Sequence, residues 1–124
     1  MEIARSIRGR MARGATPDWT SLEKLLGDEL CSHFMWMCEV DLEDGTRIDA
    51  YKHRWTRRYL HLSKDGRTYA YIWRDDDYDD ACYREVEPEA AILAAFAGWE
   101  SCRPTESERA ALQEAVRSAR ARGT

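Results

Sequence analysis

The sequence predicts an α+β fold: an N-terminal helix, an antiparallel meander of four to five strands, and two C-terminal helices. Three observations carry that expectation. Apolar residues recur at helical spacing between Pro17 and Ser32. Two Asp-Gly pairs, Asp44-Gly45 and Asp65-Gly66, interrupt segments that alternate in character, as hairpin turns do. Beyond Pro88 the apolar spacing returns to that of helices.

At 124 residues, 44% apolar and 34% charged, the chain has enough material for one hydrophobic core. No stretch approaches the roughly 20 apolar residues of a bilayer span, and the N-terminus lacks an apolar leader segment. A cytoplasmic protein with no membrane partner is the expectation. Cys31, Cys38, Cys82 and Cys102 have no paired or zinc-like spacing and read as small hydrophobes in a reducing compartment.

Residues 1–15 carry Arg5, Arg8, Arg10 and Arg13 against Glu2 alone and show little periodicity. They read as a flexible arginine-rich arm ahead of a single domain over 16–124. Thr16-Pro17 offers an N-cap and a first-turn proline. Trp19, Leu22, Leu25, Leu26 and Leu30 then predict an amphipathic helix over 17–32.

The hairpin turns fix which side chains share a face, because a slip of one residue inverts every side chain. A three-residue loop with glycine in a G1 bulge sets Val40 against Ile48 and Leu62 against Thr68. A short turn around Trp55 then places Ala50 opposite Leu60 and Tyr51 opposite Tyr59. This gives strands near 34–42, 47–54, 57–63 and 67–74, with an apolar face from Phe34 to Ile72. Residues 82–87 read as a fifth, edge strand. Pro88 opens a helix that must bury Ile92, Leu93, Phe96 and Trp99. Thr105-x-x-Glu108 is a capping box for a last helix with a thin apolar stripe, suited to weak packing or to a partner.

The opposite sheet face is where function is expected. One predicted row is Glu39-Asp49-His61-Tyr69, in which facing carboxylates beside a histidine form a general acid/base candidate. The plainer reading is a cross-strand polar row in which His61 neutralises Asp49. The neighbouring rows bring Tyr51, His53, Arg57, Tyr59, Tyr71 and Trp73 together with Tyr69, a surface suited to stacking or anchoring a partner. The competing reading is a second core beneath the C-terminal helices. Lys52, Arg54, Arg57 and Arg58 interleave with Tyr51, Trp55 and Tyr59, a composition found on nucleic-acid surfaces. The acidic run Asp75–Asp80 alternates like a calcium loop. Asp80 and Val86, however, occupy the positions that an EF-hand reserves for Gly and Glu. The histidines and cysteines have no ligand spacing, so neither metal nor cofactor is expected.

The function these features favour is a small, non-enzymatic binding or assembly module. It acts on a protein partner or on a second copy of itself, through the tyrosine-rich face or the C-terminal helices. One alternative is a binder of single-stranded nucleic acid using Tyr51, Tyr59, Arg57 and the arginine arm. Another is a small enzyme built on Glu39, Asp49 and His61.

Overall fold

The structure is a computed structural model that describes residues 6–72 and 81–122. Its first element is a strand rather than a helix: β1 spans Ile7–Met11, within the segment read as a flexible arm. Helices α1 (Thr20–Leu26) and α2 (Asp28–Cys31) follow, then strands β2 (Phe34–Leu42), β3 (Arg47–His53), β4 (Tyr59–Ser63), β5 (Thr68–Ile72) and β6 (Ala81–Val86). Helix α3 (Pro88–Ala95), a 3₁₀ turn at Trp99–Cys102 and helix α4 (Glu106–Arg122) complete the described chain.

The six strands close into an antiparallel barrel in the order β1-β2-β3-β4-β5-β6, which corrects the expected open meander. β1 is the closing strand. It pairs with β2 through Gly9↔Leu42 and Met11↔Val40, and with β6 through Ile7↔Tyr83 and Gly9↔Ala81. β6 is therefore no edge, since it holds β5 on one side and β1 on the other. Closure pairs both flanks of β1, so neither β2 nor β6 is left as a free edge. Gly9 permits it by close approach: a β-carbon there would lie 2.7 Å from Val40, and 2.9 Å from Leu42 and Tyr83.

The two glycine turns behave as the sequence implies. Gly45 and Gly66 both adopt φ 90°, and the registers Val40↔Ile48 and Leu62↔Thr68 follow. The β3–β4 connection does not. Arg57 takes φ 66° there, the His53 N–H donates to the Arg58 carbonyl at 2.8 Å, and the loop is one residue longer in register than a tight turn. Ala50 consequently faces His61, and Tyr51 faces Leu60. A second irregularity, a bulge between Trp36 and Cys38, sets Trp36 against Tyr51.

Together these shifts divide the expected single core into two. Val40, Leu42, Ile48, Tyr69 and Tyr83, drawn from strands all around the barrel, fill its interior. Phe34, Tyr51, Leu60 and Leu62 turn outward, where Leu22, Leu26, Leu30, Ile92, Phe96 and Trp99 cover them. The expected helix over 17–32 is broken at Gly27, which adopts φ 82° and separates α1 from α2. Thr16 and Pro17 lie ahead of α1 rather than capping it, and the Thr20 N–H instead donates to Asp18 Oδ1 at 3.1 Å. The capping box at Thr105 forms reciprocally, with Glu108 N–H to Thr105 Oγ1 at 3.1 Å and Thr105 N–H to Glu108 Oε1 at 2.8 Å. The thin stripe of α4 is used within the chain: Ala115 and Ala119 are buried in the helix-side core, and their small size allows close helix approach.

Candidate functional site

Glu39 and Asp49 do face each other across β2 and β3, but His61 does not join them. The shifted β3–β4 register turns His61 into the barrel, opposite Ala50, while Asp49 points outward. The cation that meets the carboxylates is Lys64, from the β4–β5 turn. Its ammonium lies 2.8 Å from Asp49 Oδ2, 3.0 Å from Glu39 Oε2 and 3.3 Å from Asp18 Oδ2. Burial disfavours that charge, but the three carboxylate contacts outweigh it and raise the Lys64 pKa. Trp36 Nε1–H closes the remaining side of Asp49 at 2.9 Å. Asp49 is 1% exposed and fully partnered. The Glu39-Asp49-His61 row is thus not assembled; its carboxylates form a structural ion cluster, and the sequence signal that went unread was a lysine beside the Asp65-Gly66 turn.

His53 and Tyr51, expected on the binding face, lie in the helix-side layer with 0% exposure each. The Tyr51 hydroxyl donates to the Asp18 carbonyl. His53 Nδ1 accepts the N–H groups of Trp55 at 3.2 Å and Thr56 at 3.1 Å, so its ring proton resides on Nε2. Burial pushes its pKa down to about 4, with His33 adding to the effect and Glu108 opposing it. The neighbouring His33 holds Glu108 at 2.9 Å through Nε2 and thereby ties the start of α4 to the barrel. The role of His53 is to shape the β3–β4 connection from beneath.

That connection carries an exposed surface of mixed aromatic and cationic character. Arg54, Trp55, Arg57, Arg58 and Tyr59 are exposed, and Lys52 is half-buried with its ammonium 5.7 Å from the Tyr59 ring centre. Elsewhere on the barrel Arg47 is neutralised by Asp41, Lys64 by its three carboxylates and Arg67 by Asp65. Among the described residues, Lys52, Arg54, Arg57 and Arg58 have no carboxylate partner. Arg58 Nε donates instead to the Ala97 carbonyl at 3.1 Å, and Thr56 Oγ1 to the Ala95 carbonyl at 2.7 Å, which fixes the connection against the end of α3.

Beside this rim the barrel wall opens. The β4–β5 ladder holds only His61↔Tyr69 and Leu62↔Thr68, so Tyr59 and Leu60 diverge from Ala70 and Tyr71. The resulting slot, about 480 Å³, is flanked by Arg58, Tyr59 and Tyr71 and bounded on the helix side by Ala90, Ala91 and Ala94. That volume lies within the usual range of small-ligand sites. Tyr59 and Tyr71 are 43% and 42% exposed, whereas His61 and Tyr69, deeper in, are 6% and 3% exposed. The Tyr59 ring stacks on His61 with 13° between planes and centroids 5.7 Å apart, and Tyr83 meets His61 edge-on at 5.2 Å. Burial pushes the His61 pKa down to about 4, so the imidazole is neutral near pH 7 and carries one donor and one acceptor nitrogen.

Of the residues expected to bind, the structure brings Tyr59, Tyr69 and Tyr71 together around His61, with Arg57 on the adjoining rim. It places Tyr51 and His53 on the opposite side of the sheet. Trp73 and the acidic run 75–80 lie outside the described residues. The interleaving of Lys52, Arg54, Arg57 and Arg58 with Trp55 and Tyr59 is the sequence signal that marks this rim. The described residues contain no group of three or more ligand side chains suited to a metal ion, and no helix long and apolar enough to cross a membrane. Comparison with protein-family models, curated proteins and solved structures finds no match.

Proposed function

We propose that this chain is a non-enzymatic binding module whose ligand-contacting surface is the β4–β5 slot together with the cationic rim of the β3–β4 connection. The observation that carries this reading is the coincidence, at one end of the barrel, of two exposed tyrosines, a parted strand pair and four cations with no carboxylate partner among the described residues. A folded protein ordinarily pairs its strands and neutralises dense charge; departures gathered in one place mark a surface built for something else. The carboxylate cluster gives no comparable support to catalysis, because Lys64 and Trp36 occupy Asp49 and His61 lies across the sheet. The C-terminal helix is a weaker candidate interface, since its buried alanines pack within the chain.

The test is nuclear magnetic resonance titration of the labelled protein with small aromatic probes: tyrosine amide, tryptophan amide and nucleoside monophosphates. Amide shifts should move at Tyr59, His61, Tyr71 and the 54–58 connection, and Tyr59→Ala should remove the response. A concentration-dependent dimer by light scattering that Tyr59→Ala dissolves also supports the reading, with a second copy as the ligand. Probe responses confined to the Asp49–Lys64 side, or no response together with a strict monomer, would sink it.

A further inference from the structure

The slot and the rim differ in chemistry, and the difference identifies a ligand. The slot offers Tyr59 and Tyr71 at its mouth, and at its floor the His61 imidazole, neutral near pH 7 and without a hydrogen-bond partner among the described residues. The rim offers three guanidinium groups and one ammonium within seven consecutive residues, 52–58, on a chain whose net charge is −4. A ligand that satisfies both must carry a planar group with hydrogen-bonding edges and, covalently attached to it, repeated negative charge.

We infer that the site binds single-stranded nucleic acid, with one unstacked base entering between Tyr59 and Tyr71 toward His61 and the flanking phosphates lying on Lys52, Arg54, Arg57 and Arg58. This rests on the binding-module reading above and specifies its partner. A base fits the slot because it presents a donor–acceptor edge to the imidazole and a flat apolar surface to Tyr59 and Tyr71, one face of Tyr59 being already stacked on His61. Phosphates fit the rim because guanidinium groups bind them through paired N–H donors. Trp55, 51% exposed beside Arg54, provides a platform for a neighbouring base. An acidic peptide satisfies the rim equally well, but its carboxylate side chains bring no planar edge to His61. Duplex is disfavoured, because its bases are stacked and paired away from the slot.

The experiment is fluorescence anisotropy of the full chain with labelled 12-residue oligo(dT) and oligo(U), with a duplex of equal length and a poly-glutamate peptide as competitors. Neutralising about four phosphates predicts binding that weakens about 50-fold between 50 and 200 mM salt. Arg57→Gly deletes one cation while suiting the positive φ at that position, so it tests the rim without threatening the fold. It should reduce the salt slope by about 0.7. Tyr59→Ala should weaken binding at least tenfold, and Tyr59→Phe should restore most of it. The relative affinities of the oligo(dT) and oligo(U) arms separate DNA from RNA.

Three outcomes overturn the inference. One is an affinity unchanged by both Tyr59→Ala and Arg57→Gly. Another is displacement of the oligonucleotide by poly-glutamate at equal charge concentration. The third is no retention of either oligonucleotide at 50 mM salt. If the aromatic probes still move Tyr59 and His61 in that last case, only the nucleic-acid assignment falls; if they do not and the chain is a strict monomer, the binding-module reading falls with it.

Discussion

The helix-covered side of the barrel and its slotted end use the same residue types to opposite effect. On the covered side, a lysine meets three carboxylates, a tryptophan N–H meets the buried Asp49, and Tyr51 is sealed with its hydroxyl bonded. At the slotted end, Lys52 rests over an exposed tyrosine, Trp55 is half in water, and Arg54, Arg57 and Arg58 are exposed with no acidic partner among the described residues. Composition alone does not separate the sealed aromatics from the exposed ones; their surroundings do. The covered side still holds two unanswered groups, His33 Nδ1 and His53 Nε2, which are buried without a hydrogen-bond partner among the described residues.

The contrast can be broken most severely with acid. His53 on the covered side and His61 at the slot floor are both held near pKa 4 by burial, against an ordinary histidine value of 6.5. The folded state therefore favours the neutral forms. Their contribution is complete above pH 6.5 and is lost as pH falls through 4, on the order of 3 kcal/mol for each histidine. Urea melts between pH 7 and 4 should show a steep fall in midpoint, and His53→Leu should flatten part of it.

Asp49→Ala strikes the covered side alone. It leaves Trp36 Nε1–H without its acceptor and Lys64 without its closest partner, so a loss of about 3 kcal/mol is expected in denaturant titration. Gly9→Ala tests barrel closure. The added methyl must displace Val40, Leu42 and Tyr83, which should cost about 2 kcal/mol, read as a lower melting temperature. The smallest effect belongs to the slotted end: Tyr59→Ala should change stability by no more than about 0.5 kcal/mol. A large destabilisation there would mean that Tyr59 is a packing residue and that the two regions are not different in kind.

Much of the local order was legible in the sequence. Asp44-Gly45 and Asp65-Gly66 announced their turns because only glycine readily takes the positive φ that a G1 bulge needs, and two hairpin registers followed. The β3–β4 connection carried no such mark. Its positive-φ residue is Arg57, and the loop is braced by His53 from below, a tertiary cause invisible to local reading. From that one register shift came the misplacement of Tyr51, His53 and His61 relative to one another. The bulge after Trp36 compounded it. β1 was missed for a different reason. Ile7-Arg8-Gly9-Arg10-Met11 does alternate, but its central inward position is a glycine, where the interior is already full, so the apolar side chain that would mark a strand is absent there. Tyr59, Tyr69 and Tyr71 kept their shared face because β4 and β5 are joined by a turn whose register was legible.

Barrel closure also bears on how the chain assembles. β1 lies at the start of the sequence, yet its partners are Val40–Leu42 and Ala81–Tyr83, both distant along the chain. The hairpins β2–β3 and β4–β5 need only short loops to form, whereas β1 must wait until β6 exists before both of its flanks are available. Docking of the first strand is thus the late, high-contact-order step of folding, and until it occurs β2 and β6 present naked margins on which nascent chains can stick to one another.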